Sequence, residues 1–241
     1  MIDTRSAAFP NRREIMGGLT LTCAAALSGC GLLAPTCHIK MTLMIKSLSH
    51  RWSGSSVLSI WGVPEPIKIA EGHATDVSLR GAASVVHLPD NDIFLTLHPA
   101  GPSELAGSVV QALDSSAGPG QAFLDAISTL ASSSALGRTA WLPDDRWPVI
   151  VAFHDIGEPD SIFRVTNDNI GKFTGENSEI VGISLEVVGQ PSSDKIIREA
   201  LPWLRGKPRS LQLPKSDVGD PLHPKVNDDY ILSRDFSTEL R

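Results

Sequence analysis

The chain lacks any cluster of Lys and Arg interleaved with aromatic residues, and its formal net charge is -6. A general nucleic-acid surface is therefore excluded. It also lacks an apolar run of roughly 20 residues, the length a helix needs to span a bilayer. The three cysteines form no C-x-x-C pair, and the histidines at 38, 50, 73, 87, 98, 154 and 223 form no H-x-x-x-H pair, so no metal-ligand set is encoded locally. Neither G-x-x-x-x-G-K-[ST] nor G-x-G-x-x-G occurs, which removes the usual phosphate cradles and with them nucleotide-dependent chemistry. No G-x-S-x-G is present either, so the sharp strand-to-helix turn that presents a nucleophilic serine is not signalled.

What is present is an ordinary globular composition. Of 241 residues, 41% are hydrophobic and 20% charged, and the mean hydropathy is +0.01, which separates the chain from disordered sequences. The length suits one domain with a tether and a tail.

The first thirty residues carry the clearest organisation. A polar stretch ends in Asn11-Arg12-Arg13, and an uncharged run from Ile15 to Ala26 follows. Basic flank and short apolar run are the n- and h-regions of a signal peptide. The run closes on Leu27-Ser28-Gly29-Cys30, which resembles a lipobox. Small residues at Ser28 and Gly29 let an extended backbone enter a peptidase groove, and only the thiol of Cys30 can form the thioether to diacylglycerol. The competing reading is a short buried helix with an incidental cysteine. Asn11-Arg12-Arg13-Glu14-Ile15-Met16 also resembles a twin-arginine export signal, with the general export route as the alternative.

Under this reading residues 1–29 are removed and Cys30 anchors the protein through membrane lipid. Cys23 leaves with the signal and Cys37 remains alone, so no intramolecular disulfide can form. Removing the three arginines and two acids of residues 1–29 leaves 18 basic and 25 acidic residues, formally -7, and lipid rather than a basic patch must hold the membrane. Gly31 after the cysteine, in place of an aspartate, points to the outer membrane facing the periplasm. Translation from Met41 or Met44 is the alternative that would delete the signal and leave a cytoplasmic protein.

Beyond a tether at residues 30–38, residues 39–204 are expected to form an α+β domain, a largely antiparallel sheet of two or more hairpins with several packed helices. Residues 205–241 form a C-terminal extension, partly docked at Tyr230-Ile231-Leu232 and Phe236. Alternation at Met41, Leu43 and Ile45 predicts a strand, a turn near His50–Gly54 reverses the chain, and Ser55–Trp61 is the antiparallel partner. Asp76–Arg80 is a third strand. Ser84–Leu88 and Ile93–Leu97 flank Pro89-Asp90-Asn91-Asp92, whose residues suit a tight turn. Ser103 is placed as the cap of a helix with Leu105, Val109, Val110 and Leu113 on one face. A second helix carries Phe123, Ala126, Ile127 and Leu130. Residues 131–147, rich in Ser, Gly and Pro, read as a connection. Strands follow at 149–153 and 161–165, and at Val181, Ile183, Leu185 and Val187 on one face. A last helix carries Ile196, Ile197, Ala200, Leu201 and Leu204 until Pro202 kinks or ends it.

Several short segments together, Gly54-Ser55-Ser56-Val57, Pro148 to Asp155, Glu158-Pro159-Asp160-Ser161, Leu201-Pro202-Trp203-Leu204 and Asp235-Phe236, resemble a family of uncharacterised bacterial proteins across most of residues 39–236. The resemblance implies one folded domain with the lipoprotein signal attached as a module. It implies no activity, cofactor or catalytic residue.

Three constellations remain. Ser55 or Ser56 with His154 and Asp155 would make an envelope hydrolase, although adjacent His and Asp side chains on a strand point to opposite faces. His87 and His98 would be cross-strand neighbours, two ligands short of a specific site. Asp155, Glu158 and Asp160 form an acidic loop able to hold calcium weakly, without EF-hand spacing. With no catalytic or cofactor constellation beyond these, the sequence favours a membrane-anchored binding or interaction module with an envelope protein partner and no nucleic acid.

Overall fold

Strict alternation of apolar and polar side chains builds the first sheet. A computed structural model of the chain describes residues 34–64, 75–89, 91–97, 102–205, 210–212, 230–232 and 235–238. Arg12, Arg13, Leu27, Ser28, Gly29, Cys30 and His98 lie outside the described residues. Chain order gives β1 (Thr36–Ser47), β2 (Arg51–Pro64), β3 (Thr75–Arg80), β4 (Ser84–His87), β5 (Asp92–Leu95), α1 (Pro102–Leu113) and α2 (Gln121–Leu130). It continues with β6 (Thr139–Trp141), β7 (Ile150–Phe153), β8 (Ile162–Arg164), α3 (Gly171–Thr174), β9 (Ser178–Val188), α4 (Lys195–Ala200), β10 (Ser210–Gln212) and β11 (Tyr230–Leu232). The fold is α+β, with antiparallel pairing throughout the described strands.

The first sheet has the order β3-β2-β1-β9-β6, so β1 is its centre. Cys37, Ile39, Met41, Leu43 and Ile45 of β1 are buried against α1, α2 and the second sheet, in one cluster with Leu58, Ile60, Ile183, Leu185 and Val187. Each such side chain contributes about 1.5–3 kcal/mol relative to exposure. His38, Lys40, Thr42 and Met44 point the other way and are half-exposed. This outer face carries the ion pairs Lys40–Glu186 (3.1 Å) and Lys46–Glu179 (3.3 Å).

β1 begins at Thr36, inside the stretch expected as tether, because Cys37 and Ile39 continue the alternation of Met41. The C-terminal extension is docked at Phe236, as expected, and also at Leu211; both are fully buried.

Another departure lies on β9. Ile45 pairs with Ile180 and Met44 with Gly182, so Val181 is an extra residue in the ladder, a β-bulge. The phase reverses there, burying Ile180 and leaving Val181 46% exposed, contrary to the expected single face from Val181 to Val187. Gly182 has φ +154°, and a Cβ on it would lie 2.8 Å from Cζ3 of Trp141. Only glycine lets the Trp141 ring lie flat on the strand there.

The second sheet, β4-β5-β7-β8, is covered on both faces. Ile93, Leu95, Ile150 and Ala152 join the first core. Phe94, Val149, Val151 and Phe153 face a second one with Ile197, Leu201, Leu204, Leu211 and Phe236. Phe94, Phe153, Trp203 and Phe236 meet there with centroid separations of 5.5–6.2 Å, the edge-to-face packing aromatic rings prefer.

Leu105, Val109, Val110 and Leu113 of α1 and Phe123, Ala126, Ile127 and Leu130 of α2 are all buried, as their spacing predicts. α1 starts at Pro102, one residue before the expected cap position Ser103; a proline is tolerated at that first position because its missing N–H would have no helical partner. The connection at 131–147 contains the edge strand β6. α4 ends before Pro202 and buries Ile197 and not Ile196, which is 57% exposed. Among the described residues no helix is long and apolar enough to cross a membrane.

Candidate functional site

The hydrolytic trio that the alternative reading of the sequence requires is not assembled. Ser56 Oγ is hydrogen-bonded to Ser84 Oγ (3.0 Å), and Ser84 donates to the Met41 carbonyl (3.2 Å). Ser84 is in register with Leu95, and Leu95 with Ile150. His154 lies four residues beyond Ile150, so strand geometry puts it about 16 Å from Ser84. Ser55 points to the opposite face from Ser56. His154 is stacked on Phe163 at 4.3 Å, and Asp155 Oδ1 accepts the Gly157 N–H at 2.8 Å. A nucleophile and base at that separation cannot exchange a proton.

Nor does the acidic loop gather a cation site. The loop is closed by its own main chain, with Glu158 N–H donating to the Asp155 carbonyl and Ser161 Oγ bonded to it from the other side (3.0 and 2.8 Å). Among the described residues no three His, Cys, Asp or Glu side chains converge. His87 Nδ1 instead pairs with Asp92 Oδ1 across its hairpin at 2.8 Å.

A different serine, histidine and acid do meet. Ser49 Oγ and Glu176 Oε1 both lie on His50 Nδ1, at 2.8 and 3.1 Å. Sharing one ring nitrogen prevents a relay, which needs the nucleophile and the acid on opposite nitrogens. The cluster fastens the β1–β2 tip to the approach to β9. Its bonds from Ser49 and His50 hold the Glu176 carboxyl below its ordinary range.

Among the described residues, a groove of about 680 Å³ crosses the outer face of β2, β1 and β9. Lys40, Ser55 and Val57 line it from β1 and β2, and Glu186 and Val188 from β9. The loop Gly189–Pro191 and Ile196 of α4 make the facing wall, and Ala82 and Ala83 the end. A small polar latch holds that wall. Ser192 N–H donates to Ser59 Oγ (3.1 Å), and the Ser59 hydroxyl donates to Ser192 Oγ (3.1 Å). With that proton committed, His38 Nδ1–H is the donor of the 2.9 Å bond to Ser59. Burial lowers the His38 pKa, which keeps the ring neutral at neutral pH.

At its β2 end the groove reaches a stretch of that strand that β3 does not pair with. β3 pairs with β2 only from Ser59 to Pro64. Past Arg80 the chain turns away to pair with the C-terminal segment: Ala83 N–H donates to the Phe236 carbonyl (2.8 Å), and Thr238 N–H to the Gly81 carbonyl (3.0 Å). On the other side Ser47 N–H donates to the His50 carbonyl, which sets the alternation. Even residues of β2 bond to β1, and the main-chain groups of Ser53, Ser55 and Val57 point outward. Among the described residues, no N–H or C=O of these three has a partner on that side.

No protein-family model, curated protein or solved structure matches the chain.

Sequence reasoning missed the groove residues Ile196 and Leu136, both more than half exposed. A helical wheel separates Ile196 from the stripe Ile197, Leu201 and Leu204, since neighbours in a helix stand 100° apart. Nothing in the local sequence marks Ser53–Val57 as an unpaired edge, because the cause is the distant pairing of residues 81–83 with 236–238.

Proposed function

We propose that the protein is a membrane-tethered binding module of the bacterial cell envelope, held through lipid on Cys30 and meeting an envelope protein partner through its folded body. The observation that carries this reading is the ordered series of basic flank, short apolar run and Leu27-Ser28-Gly29-Cys30, followed after five residues by the central strand of a sheet. The extent of β1 supports the long chain over a start at Met41. That start would remove Thr36–Lys40, which pair with Val57–Trp61, and the pairs from His38–Lys40 to Glu186–Val188. It would also take Cys37 and Ile39 out of the core. Met44 would remove more.

Cys37 cannot stand in for the lipid-bearing thiol: it is 1% exposed, and burial pushes its pKa up to about 12. Mass analysis of the native amino terminus should find a triacylated Cys30, and Cys30→Ala should release the protein from membranes. An unmodified Met41 at the terminus, or unchanged fractionation of the variant, overturns the anchor. Affinity purification from detergent-solubilised envelopes should return a reproducible partner; its failure to do so counts against the binding role.

A further inference from the structure

We propose that the outer face of the first sheet is a glycan-binding platform, on which a neutral polysaccharide chain stacks on Trp141 and crosses the strands over Ser184, Thr42 and Ser55. The inference goes beyond the reading of the protein as a binding module with a protein partner, and it depends on neither that partner nor the lipid anchor. Trp141 is in register with Ser184, Ser184 with Thr42, and Thr42 with Ser55. Residues directly opposite one another in antiparallel strands share a face, and this one is turned away from Leu43, Ile183 and Leu185 of the core. The row spans three strand spacings, roughly 14 Å, the reach of a short oligosaccharide.

Two features of the row suit a ligand rich in both C–H and O–H groups. The Trp141 ring rests on Gly182, whose missing Cβ makes room for it, and Trp141 is 57% exposed. The face of an aromatic ring is electron-rich and attracts the weakly positive C–H face of a sugar. Among the described residues, the hydroxyls of Thr42, Ser55 and Ser184 have no hydrogen-bond partner in the protein, whereas Ser47, Ser56 and Ser59 of β1 and β2 are all bonded. Each free hydroxyl can donate once and accept twice, which matches what a sugar hydroxyl offers and needs.

Other ligand classes fit this face less well. Lys40 and Lys46, which flank the row on β1, are paired with Glu186 and Glu179 (3.1 and 3.3 Å), so the lysines of β1 present no excess charge to a phosphate or carboxylate. The main chain of β1 is spent on β2 and β9, which leaves an extended peptide nothing to pair with above the row. An acyl chain would cover the three hydroxyls without bonding them, which is unfavourable. Ser55 also lines the groove, whose walls flank the far end of the row.

The test uses the full-length protein in a detergent without a sugar headgroup, titrated calorimetrically with cellotetraose, maltotetraose and tetra-N-acetylchitotetraose. At least one should bind, with a change in tryptophan emission that Trp141→Ala abolishes. That variant should weaken binding about tenfold or more. Thr42→Val and Ser184→Ala, which leave the ring in place, should each weaken it about two- to tenfold, with the fold intact by circular dichroism. Failure of all three glycans to bind the wild type overturns the proposal. Binding undiminished by Trp141→Ala and Thr42→Val does the same, because the ligand then sits elsewhere. Trp141-dependent binding of phosphatidylethanolamine vesicles, with every glycan inert, assigns the face to lipid and also overturns it. A protein partner captured alike by wild type and Trp141→Ala, again with every glycan inert, overturns the platform while leaving the binding module intact.

Discussion

The two sheets share one core and differ in what lies behind them. The first is apolar on one side and polar on the other, so β1 alternates from Cys37 to Ile45. The second is buried on both sides, and β7 is four consecutive buried residues. Alternation reports a half-solvated strand and a continuous run a sandwiched one. The groove follows the same division. The sheet with a solvated face holds the groove and the unpaired edge, while the sandwiched sheet braces it from behind.

The difference can be broken most severely in the second core. Phe153→Ala should cost about 3–5 kcal/mol in urea unfolding, because its ring contacts Phe94, Trp203 and Phe236. Met44→Ala, on the outer face of β1, should cost no more than about 1 kcal/mol. Equal losses would mean that the outer face is not solvated. Next in size is the joint between the sheets. A methyl at Gly54 would lie 1.9 Å from the Val85 carbonyl oxygen, and Gly54→Ala should cost about 2–3 kcal/mol. Gly107→Ala, in α1 with nothing within 4 Å, should instead stabilise by about 0.5–1 kcal/mol.

Smaller again is the Lys40–Glu186 pair. Both side chains are about two-fifths exposed, so a double-mutant cycle should give at most about 1 kcal/mol, falling with added salt. The last is a pH effect at the hairpin tip. The Glu176 carboxyl is held below its ordinary value of 4.5 by bonds from Ser49 and His50. Its contribution is therefore full above about 4.5 and lost as pH falls through the lower folded-state value. Glu176→Gln should remove that part of the acid dependence, and an unchanged acid transition would refute the assignment.

Much of the architecture is legible in the sequence because it is local. Both hairpins, the third strand and the stripes of α1 and α2 follow from periods of two and 3.6 residues. The departures have local physical causes as well. Val181 turns outward because Gly182 supports a bulge, and Ile196 because adjacent residues of α4 stand 100° apart and only Ile197 faces the core. β6 hides among Ser, Gly and Pro residues because only three residues pair, against Ser184–Glu186. The groove is different in kind. Its edge exists because Gly81–Ala83 bond to Phe236–Thr238 rather than to β2, a choice between partners some 150 positions apart that no window of sequence contains.

Centring the first sheet on β1 has a consequence for the order of events at synthesis. β2 follows within a few residues, yet the opposite flank of β1 waits for β9, as the 146-residue interval between Lys40 and Glu186 records. A hairpin made early has nothing to lean on until most of the polypeptide has emerged, and such long loops close slowly. During that interval the nascent protein is a loose thread rather than a half-built wall, vulnerable to aggregation and open to chaperones.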